Sequence, residues 1–315
     1  MLKRLLRAII IAILIVFAAY MLVSNIAFFQ GSGGAYRIKT IIDVDSGHGL
    51  DGLFAITRAL TDRNIEVIGL ISEHWNFAKN APDSSAKISQ EINEKILDLL
   101  NMKHIPDLRG ANNMLHGNES IVPELSEGAK FIIENTQGLA SGEKLRIITL
   151  GATTNLASAI LIDSSIINNL DCYISGLKYD PYRKAWNKNE FNTRNDLDAM
   201  DIILNTKNLE ITVLPITVSE KLKFQKSEII EKMTNKGNIW DYLLKSLEAD
   251  SAGNQVLTMN DVALIEAILH PKYATIREFY GPPENTHRKI RVYTRIKTES
   301  MLKDFWKNVE ENAGY

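Results

Sequence analysis

The sequence predicts an α/β fold built on an open, mostly parallel sheet flanked by helices, preceded by one hydrophobic N-terminal helix. Three observations lead there. Short β-branched runs alternate with segments of helical apolar spacing along most of the chain. Several of those runs are apolar almost throughout, as expected of strands covered on both faces. Polar clusters sit where the runs end, which is where such sheets bind ligands.

Each element follows from its residues. Arg37–Asp45 is rich in isoleucine and threonine and ends in a glycine-containing loop, so it reads as the first strand. Asp51–Leu60 places Leu53, Ile56 and Leu60 on one helical face. Ile65–Ser72 is a second buried strand, and Ser85–Leu100 a helix with Ile88, Ile92, Ile96 and Leu99 in register. Leu145–Leu150, Leu170–Ser175 and Leu209–Leu214 are further strands. Helices are expected at Thr154–Ile160, Asp196–Asn205 and Asn260–Leu269. Near the C-terminus, Lys289–Ile296 alternates like a strand and Ser300–Glu311 like an amphipathic helix.

The first 29 residues are a separate object. Lys3, Arg4 and Arg7 precede an apolar run from Ala8 to Val23, resumed by Ile26–Phe29. That length suits a membrane-spanning helix, and basic residues before it favour a cytoplasmic N-terminus. The expectation is a signal anchor at 1–29, a linker at 30–36 and one domain at 37–315 outside the cytoplasm. Secretion after signal cleavage is the alternative.

Composition narrows the function classes. The 315 residues carry 36 Lys+Arg against 38 Asp+Glu, a net charge of −2, which argues against a nucleic-acid binder. A single cysteine, Cys172, excludes an internal disulfide framework and a cysteine-rich zinc site.

The chemistry-bearing residues gather at the expected strand ends. Asp43, Asp45 and Asp51 crowd the first strand-to-helix turn, with Gly47 and Gly49 between them. Carboxylates so close repel unless a positive group holds them, typically a hard divalent cation. The competing reading makes Asp51 a helix cap and Asp43 a turn anchor.

Taken with other segments, this pattern resembles the inosine–uridine-preferring nucleoside hydrolase family. Asp43, Asp45, Gly47 and Asp51 match its opening Asp-x-Asp-x-Gly loop and the aspartate that follows. Gly151–Asn155 resembles its Gly-Pro-Leu-Thr-Asn turn, and Glu190-Phe-Asn192 with Asp196 its Glu-Phe-Asn segment. Leu214–Ser219, the Asn260-Asp261 pair and Asn76 after the second strand follow in family order. The resemblance implies calcium-assisted hydrolysis of the N-glycosidic bond of ribonucleosides or related N-ribosides. It implies Asp45 as proton acceptor and calcium ligand, with the Thr154 carbonyl and Asp261 as further ligands. It implies Asp51, Asn76, Glu190 and Asn192 as contacts to the sugar, a small nucleoside as ligand and a homo-oligomer as a common state.

Two departures stand out. The family's paired aspartates are Asp51-Gly52 here, so one expected calcium ligand is missing. His48 and Glu73 are the nearby candidates to compensate. Asn260 stands where the family often has a histidine that serves the leaving base. A catalytically degenerate nucleoside- or sugar-binding protein of the same fold is therefore the second reading.

Overall fold

Side chains alternate across the first strand, and that alternation divides the core. The computed structural model describes residues 37–115, 121–249 and 253–315. In β1 (Lys39–Val44), Ile41 faces one apolar layer and Ile42 with Val44 the other. Asp43 shares the Ile41 side and meets Asn155 there.

The central sheet has eight strands in the order β11-β12-β8-β5-β4-β1-β2-β3. They are β2 (Glu66–Ser72), β3 (Asp107–Arg109), β4 (Leu145–Thr149), β5 (Leu170–Ser175), β8 (Glu210–Leu214), β11 (Ala274–Tyr280) and β12 (Lys289–Ile296), besides β1. Every neighbouring pair is parallel except β11 with β12. Two small hairpins lie outside the sheet, β6 (Lys178–Asp180) with β7 (Ala185–Asn187), and β9 (Lys223–Gln225) with β10 (Val256–Thr258).

Helices cover both faces, as a parallel sheet requires. One layer holds α1 (Leu50–Leu60) and α2 (Ser85–Leu99), and further along the chain α9 (Asn238–Ala249), α10 (Asn260–Leu269) and α11 (Thr298–Glu311). The other holds α3 (Glu127–Gln137), α4 (Thr154–Ile162) and α6 (Leu197–Asn205), the last preceded by the short α5 (Phe191–Asn195). The remaining helices are α7 (Ile216–Ser219) and α8 (Lys226–Met233). Helix α10 is buried on nearly all sides from Asp261 to Ala267, which explains its lack of a polar stripe.

The expected strands and helices fall where the sequence places them, within a residue or two. Strands β3 and β11 and helices α3, α8 and α9 were not anticipated. Most of β11 is exposed, so it carries no apolar run to betray it. The apolar N-terminal segment and its linker lie outside the described residues. Among the described residues no helix is long and apolar enough to cross a membrane.

Candidate active site

The carboxyl ends of β1, β2, β4 and β5 converge, and the loops leaving them carry most of the polar side chains singled out above. After β1 the chain makes a short 3-10 turn at Ser46–His48 and passes through Gly49, whose φ of 153° suits glycine, before α1 begins. The Ser46 hydroxyl donates to Asn93 Oδ1 at 2.6 Å, and the Gly47 N–H donates to Ser89 Oγ at 3.2 Å, so the turn is pinned to α2.

A cavity of about 590 Å³ opens here, comparable with pockets that hold small ligands. Its floor is acidic: Asp45, Asp51, Asp261 and Glu190 line it with Asn192 and Asn260. Apolar and aromatic groups complete the lining: His48, Phe191, Ile216, Val256, Leu257 and the buried Met259. The His48 ring stacks on Phe191 with centroids 3.8 Å apart and planes 11° apart.

The acids differ in how they are held. Asp51 uses both oxygens to accept N–H bonds from α10, Asp261 N at 2.9 Å and Val262 N at 3.3 Å. Asp261 accepts the Ser175 hydroxyl at 3.0 Å. Asp45 has one carboxyl oxygen, Oδ2, with no hydrogen-bond partner although the residue is buried. Burial, then the neighbouring Glu190, Asp51 and Asp43 charges, push the Asp45 carboxyl well above its ordinary range. Burial and the Asp51 and Asp45 charges do the same to Asp261. Burial raises Asp51 to about 7 despite its helix N–H donors.

Other residues expected at the sugar turn out to hold the frame. Glu190 caps α5: Oε1 accepts Asn192 N at 3.0 Å, and Oε2 accepts Thr193 N and Leu177 N at 2.9 and 3.2 Å. Asn192 donates its amide to the Leu150 and Ser175 carbonyls, at 2.9 and 3.0 Å, tying the ends of β4 and β5 together. Both still border the cavity. Asn76 is not among the lining residues; its side chain joins Ser85 to the Asn112 carbonyl. Thr154 also lies outside the lining. Its hydroxyl donates to Asp196 at 2.8 Å and stands 3.0 Å from His74 Nε2.

Beneath the floor lies a group of acids that sequence patterns did not mark as a unit. Asp43 accepts both of its bonds from Asn155 Nδ2 at 3.2 Å, and burial lifts it to about 8. Glu73 beside it is fully buried, and burial with the Asp43 and Asp45 charges raises its carboxyl strongly. His74 is buried and lowered to about 4, so its ring is neutral at pH 7.

A second acidic grouping, Glu266, His270 and Asp304, offers ligand atoms within 4.8 Å of one another. Arg58 fills it. Its guanidinium pairs with Glu266 at 2.6 Å, Asp62 at 2.6 Å and Asp304 at 2.9 Å. That grouping braces α1, α10 and α11 away from the cavity.

An acid-lined cavity at the carboxyl end of a parallel sheet is suited to a small polar ligand. The comparisons make the class specific. A family model described as inosine-uridine preferring nucleoside hydrolase matches residues 40–312. The chain belongs to that family, which supports hydrolysis of N-ribosyl bonds in general. A search of the curated proteins returns no match. Among solved structures, a plant nucleoside hydrolase, the PpNRh1 enzyme, superposes with a TM-score of 0.67 at 17% identity, covering 87% of this chain and 99% of that one. A purine-preferring ribonucleoside hydrolase from Gardnerella vaginalis gives 0.65 at 18% identity, covering 87% and 99%. An inosine-uridine preferring nucleoside hydrolase from Bacillus anthracis gives 0.63 at 14% identity, covering 87% and 99%. At these identities the likeness speaks for the fold.

Proposed function

We propose that this protein hydrolyses the N-glycosidic bond of ribonucleosides or related N-ribosides with the help of a calcium ion. We further propose that residues 1–29 tether it to a membrane, with the catalytic domain outside the cytoplasm. The observation that carries the catalytic reading is the convergence of Asp45, Asp51 and Asp261, from three separate elements, on one wall of a nucleoside-sized cavity.

The donor set fits a hard cation. It is carboxylate oxygen throughout, and Asp45 Oδ2 is a buried acceptor with no donor of its own. Asp45 and Asp261 would hold the ion, while Asp51 fixes the α10 terminus that carries Asp261. When bound, calcium supplies a Lewis acid that orients water and lowers its pKa. Asp45 would be the carboxylate that accepts a proton from the attacking water. The crowded carboxylates favour positive charge developing on the sugar. Asn260 offers no acid to the leaving base, and its carbonyl already accepts the Ser219 hydroxyl at 2.9 Å. His48 is the histidine among the lining residues, and its ring N–H is the group proposed to take up that contact.

A second reading has its own observation. Gly52 lines the cavity without a carboxylate, and both oxygens of Asp51 are spent on α10. A binding protein of the same fold would show this pattern. The test uses the full-length protein in detergent, stripped with chelator. Calcium titration by calorimetry and ribose release from inosine and uridine are then measured together. Calcium-dependent release supports the hydrolase. A folded protein giving neither heat nor ribose supports the binding protein.

A further inference from the structure

Beside the cavity lining the protein buries more unsatisfied carboxylate than the proposed reaction uses. Glu73 follows β2, is fully buried, and neither of its carboxyl oxygens accepts a hydrogen bond from a fixed donor. Its backbone is rigidly placed: the N–H donates to the Val44 carbonyl at 2.9 Å, and the carbonyl accepts the Ser89 hydroxyl at 2.9 Å. Asp45 Oδ2 is likewise a buried oxygen without a donor.

Gly151 packs against both side chains. A Cβ added there would lie 3.1 Å from Asp45 Cγ and 3.2 Å from Glu73 Oε2. Glycine at this position lets the backbone approach both carboxyls closely. A proton shared between Glu73 and its neighbour Asp43 would satisfy one oxygen of Glu73. It would leave the other Glu73 oxygen and Asp45 Oδ2 unsatisfied, in a setting where an unmatched buried acceptor is costly. A hard cation with oxygen ligands satisfies both at once.

We infer that Glu73 supplies the carboxylate that Gly52 lacks, so that a divalent cation held by Asp45 takes Glu73 as a further ligand beside Gly151. This inference rests on the cation-assisted reading above. It accounts for a family member that has lost one ligand of a paired set while burying an extra acid one strand away.

The experiment compares calcium affinity of the full-length protein in detergent with that of Glu73→Gln. Affinity is read by calorimetry and by the calcium-induced rise in Tm. Glutamine keeps the size and the donor that a protonated Glu73 would present to Asp43, so a purely structural role leaves calcium affinity unchanged. The expected result is a loss of about tenfold or more in affinity, with a matching loss of the Tm shift. Adding Gly52→Asp to Glu73→Gln should recover much of that loss. Wild-type affinity in Glu73→Gln overturns the role of Glu73 and leaves the cation-assisted reading standing. No binding of calcium, manganese or magnesium by the wild type overturns both. Should Glu73→Gln fail to fold, Glu73→Asp carries the test, since it keeps the charge and withdraws the carboxyl by one methylene. Unchanged affinity there also overturns the inference.

Discussion

The Asp51 carboxylate accepts the Asp261 N–H at 2.9 Å, so an acid at the start of α1 caps α10, which begins more than two hundred residues later. Met259, the residue flanking α10, makes no side-chain cap of its own. Asp51 therefore satisfies donors that would otherwise be buried and orphaned, and it sets where the Asp261 side chain stands. Asp51→Ala should lower stability by about 1–2 kcal/mol, the usual cost of losing a cap. It should also weaken calcium binding, because Asp261 loses its anchor. Denaturant unfolding and calorimetry measure the two effects. A variant as stable as the wild type would show that α10 draws nothing from this contact.

The buried acids give the calcium-free protein a definite pH response. Burial holds Asp43 and Asp107 near 8 and Asp51 near 7, whereas an aspartate in the unfolded chain titrates near 3.8. Below about pH 4 both states are protonated, and the full contribution is present. Between about pH 4 and 8 the folded state keeps protons that the unfolded chain has released, so stability falls as pH rises. The Tm of chelated protein should therefore drop between pH 5 and pH 8, by several degrees or more on the scale of about 1.4 kcal/mol per proton per pH unit. A Tm that climbs across that range would contradict the burial of these groups in the native state.

The stacked pair of His48 and Phe191 predicts a contact to the base. An aromatic plate in the lining of an acidic cavity is suited to a flat heterocycle whose sugar points to the floor. His48→Ala should raise KM for inosine by roughly three- to tenfold, the value of one aromatic stacking contact of about 0.5–1.5 kcal/mol. His48→Phe should restore most of the affinity, and any kcat defect that remains would report the lost ring N–H. Steady-state ribose release on both variants decides it. An unchanged KM in His48→Ala would place the base elsewhere.

Gly52→Asp bears on the cation from the other side. The new Cβ would meet Val44 Cγ2 at 3.1 Å, a tight contact that a small side-chain shift relieves. The substitution replaces a helical glycine, worth about 0.5–1 kcal/mol in propensity, and puts an acid in the first turn of α1. Calcium-free stability should stay within about 1 kcal/mol of wild type, while calcium affinity and ribose release rise together. Tighter calcium binding with no ribose release would favour the binding-protein reading.

What the sequence disclosed and what it hid follow from how far each signal reaches. The apolar runs of β1, β2, β4, β5 and β8 are local, so strand positions were legible. The placement of Asp45, Asp51, Glu190, Asn192 and Asp261 around one cavity was legible only through the order of motifs along the chain. Their hydrogen-bond duties were not. Asp51 looked like a cap for the helix that follows it and caps a different helix. Glu190 and Asn192 looked free for a sugar, yet they hold α5 and the ends of β4 and β5. Such duties depend on which backbone groups tertiary contacts leave unpaired, and residue type does not encode that. Glu73 was legible only as an acid near the turn; its complete burial, with its backbone tied to Val44 and Ser89, was not.

Arg58 separates stability from catalysis in the same molecule. It is 1% exposed and pairs with Glu266, Asp62 and Asp304. It stands seven residues beyond Asp51 on α1, about 10 Å along the helix axis from the cavity wall. Arg58→Met keeps much of the side-chain bulk but leaves Glu266 buried without its partner, in a place where burial already lifts that carboxyl to about 7. Removing one member of a buried ion pair costs about 3–5 kcal/mol. Arg58→Met should lose stability on that order in denaturant unfolding, while calcium affinity and the KM for inosine stay within about twofold at temperatures where it remains folded. The Glu266, His270 and Asp304 grouping would then be a brace for α1, α10 and α11. A marked gain in calcium affinity in a folded Arg58→Met protein would instead place a cation in that grouping, whose acids Arg58 occupies in the wild type.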